Sequence, residues 1–135
     1  MLKFSIQSID ELPKVVEELI ANFSKKIILL KGNLGAGKTT LVKEIIHQFG
    51  NKDRVSSPTY SIVNEYHTNK GIVYHFDLYR MKTLEEILDF GFDTYVDSEN
   101  YCFIEWSELV EHWLDVPFHH LTIQVENDTR NIQFN

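Results

Sequence analysis

One cysteine in 135 residues leaves no disulfide framework to staple the fold. Cys102, set in the apolar run Tyr101-Cys102-Phe103-Ile104, therefore reads as a small core residue of a protein kept in a reducing compartment. No apolar stretch approaches the ~20 residues of a membrane helix. The segment Met1-Leu2-Lys3-Phe4-Ser5-Ile6 lacks the apolar centre and cleavage site of a secretory leader. The expectation is a cytoplasmic protein without a membrane partner. Repeats and low-complexity tracts are absent as well, which excludes solenoids and disordered tails. With 43% hydrophobic residues, the chain is expected to close one core as a single domain, 1–135.

Positive charge is also scarce, and it is unevenly placed. Residues 1–60 carry nine Lys/Arg and six Asp/Glu, a balance of +3, whereas residues 61–135 carry four and fourteen, a balance of −10. A chain this acidic is poorly suited to tracking a nucleic-acid backbone, because that affinity depends on basic side chains neutralising phosphates. An anionic small ligand, by contrast, has a basic half to sit in.

That half contains Gly32-Asn33-Leu34-Gly35-Ala36-Gly37-Lys38-Thr39, which fits G-x-x-x-x-G-K-[ST]. The apolar stretch Ile27-Ile28-Leu29-Leu30 precedes it and the helix-like Leu41-Val42-Lys43-Glu44-Ile45-Ile46 follows. Strand, loop and helix in that order make a phosphate-binding loop. Glycines let successive backbone N–H groups converge on phosphate oxygens, and the helix that follows adds the positive end of its dipole. Lys38 is expected to reach the β/γ-phosphates as a point charge and Thr39 to offer its hydroxyl to Mg²⁺.

Along the rest of the chain, Phe4 and Ile6 read as a first strand. Ser8 or Asp10 can cap an amphipathic helix with apolar positions at Ile9, Leu12, Val15, Val16, Leu19, Ile20 and Phe23. Lys25 to Lys31 is the strand that feeds the loop, and the helix after the loop is expected to end at Gly50. Tyr60 to Tyr66 and Ile72 to Phe76 form strand-like runs joined through His67-Thr68-Asn69-Lys70-Gly71. Thr83-Leu84-Glu85-Glu86 has the spacing of a capping box, with Gly91 as the stop. Tyr101 to Ile104 is a further buried strand. Ser107 is expected to cap a helix over Glu108 to Leu114, stopped by Pro117, and Leu121/Ile123/Val125 and Ile132/Phe134 suggest a terminal hairpin. The pattern implies an α/β, single-domain, P-loop NTPase-like fold: a mixed sheet with flanking helices and antiparallel additions. Strand order is not written in the pattern.

A phosphate loop needs an acid at the end of a neighbouring buried strand to hold Mg²⁺ or its waters. Asp77 ends the run Ile72 to Phe76 and Glu105 ends Tyr101 to Ile104, so each delivers a carboxylate to a strand's C-terminal edge. Either fits the role. Thr59, in the link Ser56-Ser57-Pro58-Thr59, stands where nucleotide switches place a hydroxyl that senses the γ-phosphate, although a Pro-containing turn explains the same residues. His75, Tyr79, Arg80 and Trp106 flank the two acids. A histidine or tryptophan satisfied in the core is the ordinary reading of such residues, and Arg80 either stabilises charge in phosphoryl transfer or pairs with an acid. His67, His112, His119 and His120 lack metal-ligand spacing.

In order, Gly32 to Thr40, Ser57-Pro58-Thr59-Tyr60, His75-Phe76-Asp77-Leu78-Tyr79-Arg80, Glu85/Glu86 before Gly91-Phe92, and Ile104-Glu105-Trp106 resemble the TsaE (YjeE) family of bacterial ATPases. The resemblance covers nearly the whole chain. It implies an accessory ATPase using ATP and Mg²⁺, acting with the TsaB and TsaD proteins in the threonylcarbamoyladenosine modification of tRNA, and meeting tRNA only through that complex. By the same resemblance Asn33, Leu34, Gly35, Ala36, Gly37, Lys38, Thr39 and Thr40 bind nucleotide, and Thr39 and Glu105 hold the metal. Asp77 and Thr59 then stand near the γ-phosphate and attacking water, Trp106 lies beside the nucleotide, and Ser8 and Arg130 flank its base. Asn33 departs from the acid usual after the first loop glycine, Ser107 from a frequent proline, and Leu12-Pro13-Lys14 from the threonine common in the first helix.

Two other functions share a phosphate loop. A small-molecule kinase typically needs an Arg-rich lid, and beyond Arg54 only Arg80 and Arg130 are available. A nucleotide-dependent interaction module would need binding without hydrolysis. A GTPase is disfavoured, since N-K-x-D fails at Asn51-Lys52-Asp53-Arg54 and at Asn69-Lys70-Gly71-Ile72. With no arginine evidently placed as a finger, turnover by the lone chain is expected to be slow.

Overall fold

The computed structural model describes residues 1–33, 35–51 and 62–135. Among these residues seven strands form one sheet in the order β1-β7-β6-β2-β5-β4-β3. Their ranges are β1 Leu2–Ile6, β2 Ile27–Lys31, β3 Val63–Thr68, β4 Gly71–Asp77, β5 Tyr101–Glu105, β6 Phe118–Glu126 and β7 Thr129–Phe134. β2 sits between β5 and β6 and is parallel to both, and β4 is parallel to β5. The edge pairs β3/β4, β6/β7 and β1/β7 are antiparallel. The mixed sheet and antiparallel additions expected from the sequence are thus present, and the order of the strands emerges only here.

The apolar run of β2 is explained by its position. Ile27, Ile28, Leu29 and Leu30 are all buried because helices cover both faces of the sheet. On one face α1 (Leu12–Ala21) and α2 (Lys38–Gln48) pack over Ile28, Leu30, Val73 and Phe103. On the other, α3 (Leu84–Asp89) and α4 (Phe92–Val96) pack over Ile27, Leu29, Phe76 and Ile104. Val15, Val16 and Leu19 form the buried stripe of α1, and full burial of such a side chain contributes about 1.5–3 kcal/mol. Phe23 lies just beyond that helix and meets Phe49, Tyr101, Phe103 and Phe134, with ring centroids 5.6–6.5 Å away.

Several local expectations hold, and others shift. Ser8 does cap, but it caps a single 3-10 turn at Ile9–Glu11 in a reciprocal box with Glu11, and α1 begins after it with Pro13 in its first turn. Ile9 is consequently exposed instead of joining the apolar stripe. Thr83 accepts from the Glu86 N–H at 3.2 Å, whereas the Glu86 carboxylate turns to the N–H of Lys82. The terminal hairpin turns through Asn127 and Asp128, both at positive φ (50° and 66°), the backbone twist that matches two-residue hairpins.

The helix expected over Glu108 to Leu114 does not form. The segment makes separated turns instead, with Val110 and Glu111 N–H groups on the Ser107 carbonyl and Trp113 and Leu114 N–H groups on that of Val110. Ser107 does not cap, since its hydroxyl is buried without a hydrogen-bond partner among the described residues. Glu111 is drawn instead into an ion pair with Lys31 at 2.7 Å, which holds its carboxyl below the ordinary range.

Two buried side chains are structural. Burial pushes the Cys102 thiol up to about 12, which leaves it unreactive at neutral pH, as its core reading implies. His119 accepts from the backbone N–H groups of Ser24 and Lys25 through Nε2 at 3.1 and 3.2 Å and lies 3.2 Å from the Asn135 carbonyl through Nδ1. Both Nε2 contacts require the neutral ring, and burial lowers its pKa. The unfolded chain therefore binds the extra proton first on acidification. Stability is retained above the unfolded histidine value of about 6.5 and falls as pH drops below it toward the folded value. Chemical denaturation across that window should show a slope that His119→Gln reduces.

Candidate functional site

The C-terminal ends of β2, β5 and β4 lie side by side. In the ladder Leu30 stands opposite Glu105, and Glu105 opposite Asp77. The phosphate loop leaves β2 at this edge, so the strand carrying Glu105 is its immediate neighbour and the strand carrying Asp77 is one further out. Side chains alternate between faces along a strand, which puts Glu105, Phe103, Asp77, His75 and Val73 on the face covered by α1 and α2.

The loop is shaped by close contacts. A Cβ on Gly32 would lie 2.4 Å from the Ile123 carbonyl oxygen of β6, so the backbone can pass there only without a side chain. Gly37, at φ 99°, is the left-handed residue from which α2 starts, and its carbonyl accepts the Leu41 N–H. Ala36 turns into the core, and Asn33 and Gly35 remain exposed. The exposed loop backbone and the N-terminus of α2 thus face the same space.

A cavity of about 360 Å³ opens at this edge, lined by Gly35, Gly37, Lys38, Thr39, Thr40, Asp77, Glu105, Trp106 and Arg130. Nine of the residues singled out from the sequence, drawn from four separate parts of the chain, therefore meet in one place. Lys38 is 5% exposed; its ammonium donates to the Gly32 carbonyl at 2.8 Å and sits 4.0 Å from the centre of the Trp106 ring. A buried cation needs such partners, and a desolvated cation–π contact contributes ~2 kcal/mol. Trp106 itself adopts φ 58°, unusual for a bulky residue, and its ring lies 4.9 Å from that of Tyr79. Arg130 reaches in from β7, with Nε 3.5 Å from the Cβ position of Gly37.

The two carboxylates differ in environment. Glu105 is buried and its Oε2 lies 2.5 Å from Nε2 of the fully buried His75. Asp77 is half-buried, and its Oδ1 accepts from the N–H of Tyr79 at 3.0 Å, bracing the turn that follows β4. The donors facing the cavity suit a phosphate, and the hydroxyl of Thr39 with the carboxylate of Glu105 are hard oxygen ligands suited to Mg²⁺. Among the described residues no cluster of His, Cys, Asp and Glu could hold a metal by itself.

Of the described residues proposed from the sequence, Ser8, Asn33 and Ala36 do not line the cavity. Leu34 and Thr59 lie outside the described residues. Ser8 does not line this cavity, its hydroxyl being engaged by the Asp10 N–H at 3.2 Å. Its neighbour Ile9 lines an adjoining hollow of about 390 Å³ with Leu12, Pro13, Thr40, Lys43, Glu44 and His47. Arg80 is exposed and does not line the phosphate-loop cavity, whereas Arg130 does. Sequence reasoning left His75 as a core residue; the signal for more was its place two residues before Asp77, on the same face of β4.

Comparison with known proteins places the chain in a family. The family model described as Threonylcarbamoyl adenosine biosynthesis protein TsaE matches residues 6–133. The tRNA threonylcarbamoyladenosine biosynthesis protein TsaE of Haemophilus influenzae is 38% identical over 122 residues, covering 89% of this chain and 77% of its own length. The protein of that name from Bacillus subtilis is 37% identical, covering 90% and 77%, and that of Rickettsia felis is 37% identical, covering 91% and 73%. The crystal structure of Bacillus subtilis YdiB superposes with a TM-score of 0.72 at 31% identity over 98% of this chain and 83% of that one. With its phosphate loop, its two strand-end acids and this match along almost its full length, the chain belongs to the TsaE family of tRNA threonylcarbamoyladenosine biosynthesis.

Proposed function

We propose that the chain binds ATP with Mg²⁺ and hydrolyses it, acting with the TsaB and TsaD proteins to support threonylcarbamoyladenosine formation on tRNA. The observation that carries this reading is the convergence of Lys38, Thr39, Asp77, Glu105 and Arg130 on one cavity at the C-terminal edge of the sheet. The loop amides and Lys38 hold the phosphates; Arg130, which the resemblance places beside the base, lines the cavity with Nε 3.5 Å from the Cβ position of Gly37, and is read here as a further donor to the phosphates. Thr39 and Glu105 hold the metal, which when bound neutralises charge building on the phosphates. Asp77, free on the cavity side, orients the attacking water, and Thr59 belongs to the same step by family resemblance. Catalysis of this kind is positioning and electrostatics, with no covalent step required of the protein.

Trp106 packs against Lys38 and Tyr79 and so closes one wall of the site. A kinase is less well supported: of the arginines in the described residues, Arg130 alone lines the cavity, which is not the basic lid such enzymes use. Phosphate release from ATP should be slow for the lone chain and rise when TsaB and TsaD are added. Full turnover without them would overturn the partner-dependent part of the reading. Transfer of phosphate to an added nucleoside would overturn hydrolysis.

A further inference from the structure

We propose that His75 is the positioning residue for Glu105: its Nε2–H holds one carboxylate oxygen and thereby fixes how the other is presented to the phosphate-loop cavity. The inference rests on reading Glu105 as the metal-holding acid. It starts from the ladder. Phe103 lies opposite His75 and Glu105 opposite Asp77, so His75 and Glu105 are diagonal neighbours on one face of adjacent strands, a separation that long side chains span. His75 is 0% exposed, and Nε2 approaches Glu105 Oε2 to 2.5 Å. Its Nδ1 has no hydrogen-bond partner among the described residues. Among the described residues the carboxylate is the ring's one hydrogen-bonding partner, and since a carboxylate only accepts, the ring proton belongs on Nε2.

On the same face Val73 and Phe103 are buried and apolar, and Asn64 of β3 stands opposite His75 in the ladder. A histidine placed only to fill space would leave both ring nitrogens buried without a partner, whereas this one has Nε2 bonded to a cavity-lining acid. Glutamate has three rotatable side-chain bonds, and a single firm donor removes most of that freedom before any ligand arrives. Partners of this kind, one step removed from a metal, typically set 10–100-fold in metal affinity.

The test uses the intact chain with a non-hydrolysable ATP analogue and Mn²⁺ as a spectroscopic substitute for Mg²⁺. His75→Phe should weaken Mn²⁺ binding, read by electron paramagnetic resonance, about 10–100-fold, while affinity for the analogue without metal stays near that of the unaltered protein. His75→Gln places an amide N–H where Nε2 stands and should recover most of the loss. Glu105→Gln separates the two layers of the argument. If it weakens Mn²⁺ binding while folded His75→Phe does not, the positioning role is overturned and the reading of Glu105 stands. If Glu105→Gln leaves Mn²⁺ binding unchanged, the reading of Glu105 falls and the proposal with it. Should His75→Phe fail to fold, ring ¹⁵N spectra of the unaltered protein decide. The Nε2–H tautomer with a resonance that moves in Glu105→Gln supports the role, and the Nδ1–H tautomer overturns it.

Discussion

Replacing Lys38 with methionine should lower affinity for ATP by about 100- to 1000-fold, the scale expected when a charged donor is withdrawn from an enclosed anion site. Methionine is chosen because Lys38 is buried and its stem packs within the site; an unbranched apolar chain of similar length keeps that packing while removing the ammonium. The bond to the Gly32 carbonyl and the contact with the Trp106 ring disappear together, so Trp106 fluorescence should change even without nucleotide. Calorimetric titration with ATP and Mg²⁺ measures the loss, and thermal melting shows that the fold persists. Affinity within a few-fold of the unaltered protein would mean that loop amides and Arg130 suffice, and the role given to Lys38 would be withdrawn.

The second large effect is expected at Asp77. Asp77→Asn keeps an oxygen to accept the Tyr79 N–H, so the turn after β4 survives and only the charge and the capacity to take a proton are lost. ATP hydrolysis with TsaB and TsaD present should drop by about 100-fold or more, while ATP binding stays nearly unchanged. That split distinguishes a group acting on water from one that merely holds nucleotide. Unchanged hydrolysis would reduce Asp77 to a brace for the turn. If hydrolysis is lost and tRNA modification nonetheless continues, the bound nucleotide alone supports the partner complex, and the interaction-module reading replaces the catalytic one.

Glu105 and Asp77 look alike along the chain because both end an apolar run at a strand's C-terminal edge. What separates them is strand order: β5 lies against β2 and β4 lies beyond it. Order depends on which strands pair across many residues, and local pattern carries no record of it. The segment after Trp106 illustrates the opposite error. Its serine, spacing and proline suggest a helix, yet seven residues are too few to form one unaided, because initiating a helix costs more than its first bonds return. Burial of Ser107 and the pull of Lys31 on Glu111 then decide in favour of turns.

By itself, the sequence determined the glycine-rich run Gly32 to Thr39 between a buried strand and a helix, two strand-end acids, and the motif order of the TsaE family. Those features are local: they depend on residue type, periodicity and spacing over a few positions. The tertiary structure alone decided that Glu105 is nearest the loop and that Arg130 enters the site while Arg80 does not. It also brought Trp106 against Lys38 and gave His75 a carboxylate partner. Each of these depends on residues distant in sequence being brought within a few ångströms, and that placement is fixed by strand pairing and burial acting across the whole sheet.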